Sequence, residues 1–163
     1  MTELDSFNDK LLEGTSRSFY LTLKRLPKSV KGQIGLLYLL ARISDTIADS
    51  GSSGGEDLLE LLEDYNNRAQ GHSNYMPDFS NLSDVQENPA EGLLLRGAHG
   101  PIELLEEASA VDQELIRRCL DIIISGQRMD LERFQDKDGT GIRSLSRYCL
   151  LYTSDAADEG LGV

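Results

Sequence analysis

The segment KSVKGQIGLLYLLARISDTIA, from Lys28 to Ala48, constrains the fold more than any other part of the chain. Read at helical spacing it has two sides, with Ile34, Leu37, Ala41 and Ser44 along one and Leu36, Leu40, Ile43 and Ile47 along the other. A surface helix needs only one apolar stripe; two predict a helix covered on more than one face, at the centre of a bundle. The run IGLLYLLA leads without any turn signal into ARISDTIADS, so Arg42, Asp45 and Asp49 continue the same helix. Charges placed in so apolar a setting need a reason.

Most of the remaining chain also reads as helix. Residues 51–65, GSSGGEDLLELLEDY, give a turn with several helix starts, then an amphipathic helix carrying Leu58, Leu61, Leu62 and Tyr65. From Gly71 to Pro89 the sequence is rich in Asn, Ser, Asp and Pro and predicts a loop. Glu91 to Ala108 is helical in pattern but interrupted by Gly97, Gly100 and Pro101, which leaves open two helices or one kinked element. Val111, Leu115, Cys119, Ile122, Gly126 and Met129 form a stripe at spacings of four and three, the clearest amphipathic helix in the chain, and the small Gly126 would admit a close neighbour. After FQDKDGTG a further helix is expected near Ile142, with Leu145, Tyr148 and Cys149. No strand signal and no internal repeat is visible, so the fold class is all-α.

Composition narrows the function. A length of 163 residues, 39% of them hydrophobic, suits one domain with a real core. A net charge of −12 argues against nucleic acid as a partner; the modest cluster Lys24, Arg25, Lys28 and Lys31 suits small anions at most. Cys119 and Cys149 are isolated in helical patterns, which points away from disulfides and thiolate metal sites and toward a reducing, cytoplasmic setting. No run approaches the roughly 18 to 20 apolar residues that cross a bilayer, so any membrane contact is expected to be peripheral, drawn by an apolar substrate.

The embedded charges carry the chemistry. Tyr38, Arg42, Asp45 and Asp49 follow one another at spacings of four, three and four and so fall in one line along the helix. Two readings of that line stand side by side. Arg42 can pair structurally with Asp45 or Asp49, or the two carboxylates can gather a cation, for which Mg²⁺ is the natural choice because it takes hard oxygen ligands from one or two carboxylates and keeps places for phosphate oxygens. Upstream, LLEGTSRSFYLTLKRLP sets Ser16, Arg17 and Ser18 near a helix start, where hydroxyls, a guanidinium and free N–H groups can hold a diphosphate or merely cap the helix.

Together, SRSFYLTLKRLP and YLLARISDTIAD resemble the squalene/phytoene synthase family, the first matching its Ser-Arg-Ser-Phe signature and the second its Tyr-x-x-x-Arg-x-x-Asp-Thr-x-x-Asp signature. GQRMDLERF and SLSRYC resemble later segments of the same family, so the resemblance covers nearly all of Leu11 to Leu150. It implies an isoprenoid-synthase-type helical bundle. It also implies that Asp45 and Asp49 bind Mg²⁺ and substrate diphosphate, that Arg42 is a neighbouring diphosphate ligand, and that Ser16, Arg17 and Ser18 grip a diphosphate. Tyr38 would line the reaction cavity and Phe19 form its apolar wall, although simple core packing suits both rings as well.

The implied activity is the head-to-head joining of two prenyl diphosphates through a cyclopropyl intermediate. The two motifs resemble the squalene branch more closely, which implies farnesyl diphosphate as substrate and a hydride from NADPH. Phytoene or dehydrosqualene synthesis is the alternative, and a non-catalytic helical interaction protein is another. After Cys149 the pattern fails: Leu151 stands where a second tyrosine is expected, and Asp155 and Asp158 lack the spacing of the family's second aspartate motif. Residues 1–150 therefore read as the N-terminal part of such a bundle, incomplete at its C-terminal side. Residues 151–163 read as an atypical tail, consistent with a truncated product, a gene-model error or an assembly artefact. The complete parent is expected to be a Mg²⁺-dependent prenyltransferase and this exact chain to be inactive.

Overall fold

A computed structural model describes residues 13–14, 17–50 and 57–134. Among them no strand occurs, and seven helices follow in order: α1 Arg17–Lys24, α2 Lys28–Asp49, α3 Leu58–Gln70, α4 Ser80–Asp84, α5 Pro89–Arg96, α6 His99–Glu107 and α7 Ala110–Phe134. The chain falls into two compact units, Met1–Arg128 and Met129–Val163. Of the second, 129–134 is described, as the last turns of α7; the helix expected near Ile142 and the tail 151–163 lie outside the described residues.

Within the first unit α2 is the central helix, packed against α1, α3, α5 and α6. Pro27 separates it from α1: a proline disfavours helical backbone in the residue before it, and the chain restarts with Val30 and Lys31 both donating to the Pro27 carbonyl at 3.1 Å. Of its two stripes, the one with Leu40, Ile43 and Ile47 is buried at those three residues, while Leu36 at its start is half-buried. The other is only partly covered: Ser44 is buried, Leu37 and Ala41 are half-buried and Ile34 is exposed. Buried hydroxyls on this helix find partners on the helix itself, Ser44 Oγ donating to the Ala41 carbonyl at 2.8 Å and Thr46 Oγ1 to that of Arg42 at 2.9 Å.

α3 starts where Asp57 caps it, accepting from the Leu59 and Glu60 amides at 3.0 and 3.3 Å. It ends at Gly71, whose φ of 78° places it in the left-handed region while His72 N–H closes on the Asn67 carbonyl at 2.9 Å. Leu58, Leu62, Tyr65 and Ala69 are its buried face. Tyr65 is wholly buried, its hydroxyl donates to the Leu40 carbonyl of α2 at 2.9 Å, and burial pushes its ionisation far up. Its ring meets Phe79 edge-on with centroids 6.2 Å apart.

Phe79 belongs to the stretch expected to be loop, and here the structure differs. Residues 71–89 contain the short helix α4, with Pro77, Phe79 and Leu82 buried. Three apolar residues in a polar run suffice to dock it, and Gln86 Nε2 adds bonds to Ser50 Oγ at 2.8 Å and the Leu82 carbonyl at 2.9 Å. The choice left open for Glu91 to Ala108 resolves as two helices, parted at Gly97 and Ala98. Gly100 and Pro101 sit instead in the first turn of α6, where a missing N–H costs no helical bond. The first of the pair begins earlier than its apolar pattern, with Asn88 capping and Pro89 at the opening position.

The stripe on α7 requires a correction. Val111, Leu115, Cys119 and Ile122 lie on the exposed side, with Leu115 at 57% and Ile122 at 64% exposure, and Met129 is exposed as well. The buried side is Ile116, Leu120 and Ile124, spaced by four. The helix is apolar on two sides, and tertiary contacts choose the one carrying fewer such residues. Polar anchors reinforce the choice: Gln70 Nε2 donates to the Arg117 carbonyl at 3.0 Å, Arg117 Nε to the Ala69 carbonyl at 3.0 Å, and Asn66 Nδ2 to Asp121 at 2.9 Å.

α5 approaches α4 closely at Gly92, where an added Cβ would stand 2.9 Å from the Ser83 carbonyl oxygen. Gly92→Ala must separate the two backbones. The expected result is a loss of about 1 to 3 kcal/mol in urea unfolding, despite alanine's better helix propensity. An unchanged unfolding midpoint would contradict the close approach.

Candidate functional site

The site stands on the C-terminal half of α2, on the side not given over to the core. Tyr38, Arg42, Asp45 and Asp49 occupy successive turns of one continuous helix, as their spacing requires. Tyr38 and Asp45 are half-buried and Asp49 is exposed. At the upper end of the line Phe19 of α1 stacks on Tyr38, ring centroids 4.1 Å apart and planes 18° from parallel. That stack brings the first turn of α1 beside the α2 line, at an energy of about 0.5 to 1.5 kcal/mol beyond area burial. Arg17 and Ser18 open α1, but their side chains lie outside the described residues, as does Ser16 altogether.

Arg42 is the hub. Its Nη1 donates to Asp45 Oδ2 at 2.7 Å and its Nη2 to Glu91 Oε1 on α5. Nε is buried without an acceptor among the described residues. Burial works to lower the guanidinium's proton affinity, but the Glu91 hydrogen bond and the charges of Asp45 and Glu91 outweigh it, and the net shift is upward. Asp49 makes no ion pair among the described residues.

Both aspartates hold their protons more tightly than usual. For Asp45 burial is the largest cause and the charge of Asp49 the next, with Glu91 adding to them and Arg42 opposing. For Asp49, exposed as a residue but partly desolvated at its carboxyl, that desolvation again leads, Arg42 opposes it, and Glu91 adds repulsion. The arrangement therefore concentrates negative charge that one arginine does not balance.

Glu91 is the residue that sequence reading missed. A glutamate in the first turn of a helix is commonplace, because it favours the positive end of the helix dipole. Nothing in its spacing links it to residues 49 positions earlier. The Asn88-Pro89 pair does mark a helix start and could have placed Glu91 in a first turn, though not opposite Arg42.

Raised carboxylates give a stability test that separates the two readings of the line. Between the ordinary value of 3.8 and the raised one, the folded protein binds more protons than the unfolded chain, so ionisation costs stability as pH rises. Asp45→Asn or Asp49→Asn in the ligand-free protein is expected to raise the melting temperature at neutral pH, and the gain should vanish below 3.8. In Asp45→Asn the new amide oxygen would still accept from Arg42. A fall in melting temperature at neutral pH would instead mark a structural ion pair.

Among the described residues no group of three or more His, Cys, Asp and Glu side chains is placed to hold a metal ion. Two carboxylates with unbalanced charge on successive turns nonetheless fit Mg²⁺, which completes its octahedron with waters and substrate oxygens. No described helix is long and apolar enough to cross a membrane.

An all-helical bundle with two carboxylates and an arginine in line on its central helix has the architecture of an isoprenoid-synthase-type fold. The family model for squalene/phytoene synthase matches residues 12–153, and the chain belongs to that family. Searches of curated proteins and of solved structures gave no significant match.

Proposed function

We propose that this site binds Mg²⁺ together with the diphosphate of an allylic prenyl substrate, and that the parent reaction is squalene synthesis from two farnesyl diphosphates. The observation that carries the reading is the pair Asp45 and Asp49, placed on successive turns beside Arg42 with charge left unbalanced among the described residues. Family membership supports the substrate class.

Each residue then has a distinct task. Asp45 and Asp49 would hold the ion, and Arg42 would bind diphosphate oxygens through a planar fork suited to them. When bound, Mg²⁺ supplies Lewis-acid stabilisation of the negative charge that grows on the leaving diphosphate. Phe19 and Tyr38 form an aromatic surface next to these charges. There a ring face left free by the stack would shield the allylic cation from water and stabilise it with its negative side. Ser16, Arg17 and Ser18, which immediately precede Phe19 in the sequence, are the proposed grip on a second diphosphate. Carbon–carbon joining would release one diphosphate and a proton to give a cyclopropyl diphosphate, and loss of its diphosphate would leave a cation that a hydride from NADPH would convert to squalene.

The test is product analysis with the longest form of the gene product, given farnesyl diphosphate, Mg²⁺ and NADPH. Squalene supports the assignment. Product from geranylgeranyl diphosphate alone would replace it with phytoene synthesis, and an unreduced product from farnesyl diphosphate in the presence of NADPH would replace it with dehydrosqualene synthesis.

A further inference from the structure

Arg42 presents its donors unevenly. A guanidinium binds oxyanions best along an edge, where two parallel N–H groups meet two oxygens. The edge made by Nε and Nη2 is half used: Nη2 donates to Glu91, while Nε is buried and has no acceptor among the described residues. Nη1, on the other side, is taken by Asp45 at 2.7 Å. A diphosphate oxygen pair would satisfy the whole Nε–Nη2 edge, yet it can reach that edge only in place of the Glu91 carboxylate.

The surroundings make the exchange favourable. Among the described residues Asp45, Asp49 and Glu91 all act electrostatically on this spot against a single arginine. A metal-bound diphosphate brings cationic charge that the aspartates lack. It also brings oxygens for the unpaired Nε. Glu91, with a side chain 18% exposed, stands at the edge of solvent rather than locked in the core. It sits in the first turn of α5, where its charge retains a favourable helix end after letting go of Arg42.

We propose that Glu91 is the internal stand-in for a diphosphate oxygen: it holds the Arg42 guanidinium between α2 and α5 in the ligand-free protein and yields its place when Mg²⁺-bound diphosphate arrives. The proposal rests on the diphosphate reading above and adds a positioning residue to it. Glu91 also sets a threshold, since an anion must outcompete it to enter.

Calorimetric titration of the chain with inorganic pyrophosphate at saturating Mg²⁺, and with Mg²⁺ alone, tests this. Glu91→Gln removes the competing charge but keeps an acceptor oxygen for Arg42, so pyrophosphate should bind about fivefold to tenfold tighter than to wild type. Mg²⁺ alone should bind no tighter, because a negative charge has been removed. A purely structural pair predicts no such opposition. Glu91→Asp, with the charge kept but the reach shortened, should fall between wild type and Glu91→Gln for pyrophosphate. If wild type binds pyrophosphate and Glu91→Gln binds it equally or more weakly, the stand-in role is overturned while the site reading survives. If neither protein takes pyrophosphate with Mg²⁺, the diphosphate reading itself fails. Failure of both variants to fold, judged by far-ultraviolet circular dichroism, assigns Glu91 a structural role and also overturns the proposal.

Discussion

Asp45→Asn and Asp49→Asn, each made in the longest active form of the protein, are expected to lower turnover about 10²-fold or more, since a carboxylate that holds the metal in the transition state is worth several kcal/mol. Asparagine keeps shape and hydrogen bonding, so the effect isolates charge. Both aspartates lie on the less buried side of α2, away from Leu40, Ile43 and Ile47, and the core should be untouched. The same variants are expected to stabilise the ligand-free protein at neutral pH, because each removes a carboxylate whose ionisation is opposed first by burial. Reduced turnover with increased stability is the signature of a residue kept for function. Steady-state kinetics and thermal unfolding on one preparation check both halves. Turnover preserved in both variants would remove the aspartates from the mechanism.

The second large effect concerns α7. Leu120 is fully buried and Leu115 is 57% exposed, although the periodicity of the sequence assigns the inward stripe to Leu115. Leu120→Ala should cost about 2 to 5 kcal/mol, from reduced apolar burial and the cavity left behind. Leu115→Ala should change stability by no more than about 0.5 kcal/mol, alanine being at least as good a helix former. Urea unfolding of the two variants decides between the faces. A large destabilisation at Leu115 with little at Leu120 would restore the sequence-based stripe.

That contrast shows what the sequence makes legible. The central helix is readable because its apolar residues occupy more than one face and no break interrupts it, and α2 does pack against four other helices. Helix boundaries follow local chemistry, as at Pro27, Asp57 and Gly71, where a proline that disfavours helix in the residue before it, a capping carboxylate and a left-handed backbone each act within a few residues. The orientation of α7 is not local. Apolar residues occur on both of its sides, and the decision rests with Ala69, Gln70 and the rest of α3, to which Arg117 of α7 is bound. The small helix α4 escapes notice because its docking depends on Phe79 and Leu82 meeting a surface built from other segments.

The candidate site divides in the same way. Tyr38, Arg42, Asp45 and Asp49 are readable together because one helix carries all four at regular spacing. The structure adds the Phe19 stack, which joins the two motifs in space, and Glu91, which reaches Arg42 from α5. No periodicity can report a partner on another helix. Ser16 and the side chains of Arg17 and Ser18 lie outside the described residues, and their part in holding a diphosphate is a proposal on sequence alone.

The central claim is that Asp45, Asp49 and Arg42 form a site for a metal-bound diphosphate. Calorimetric titration of the wild-type chain with farnesyl diphosphate, once with Mg²⁺ and once with a chelator, tests it most directly. Saturable binding that requires Mg²⁺ and is abolished in Asp45→Asn and Asp49→Asn is the predicted result. Binding of equal strength with the chelator present, or binding unchanged in both variants, would contradict it.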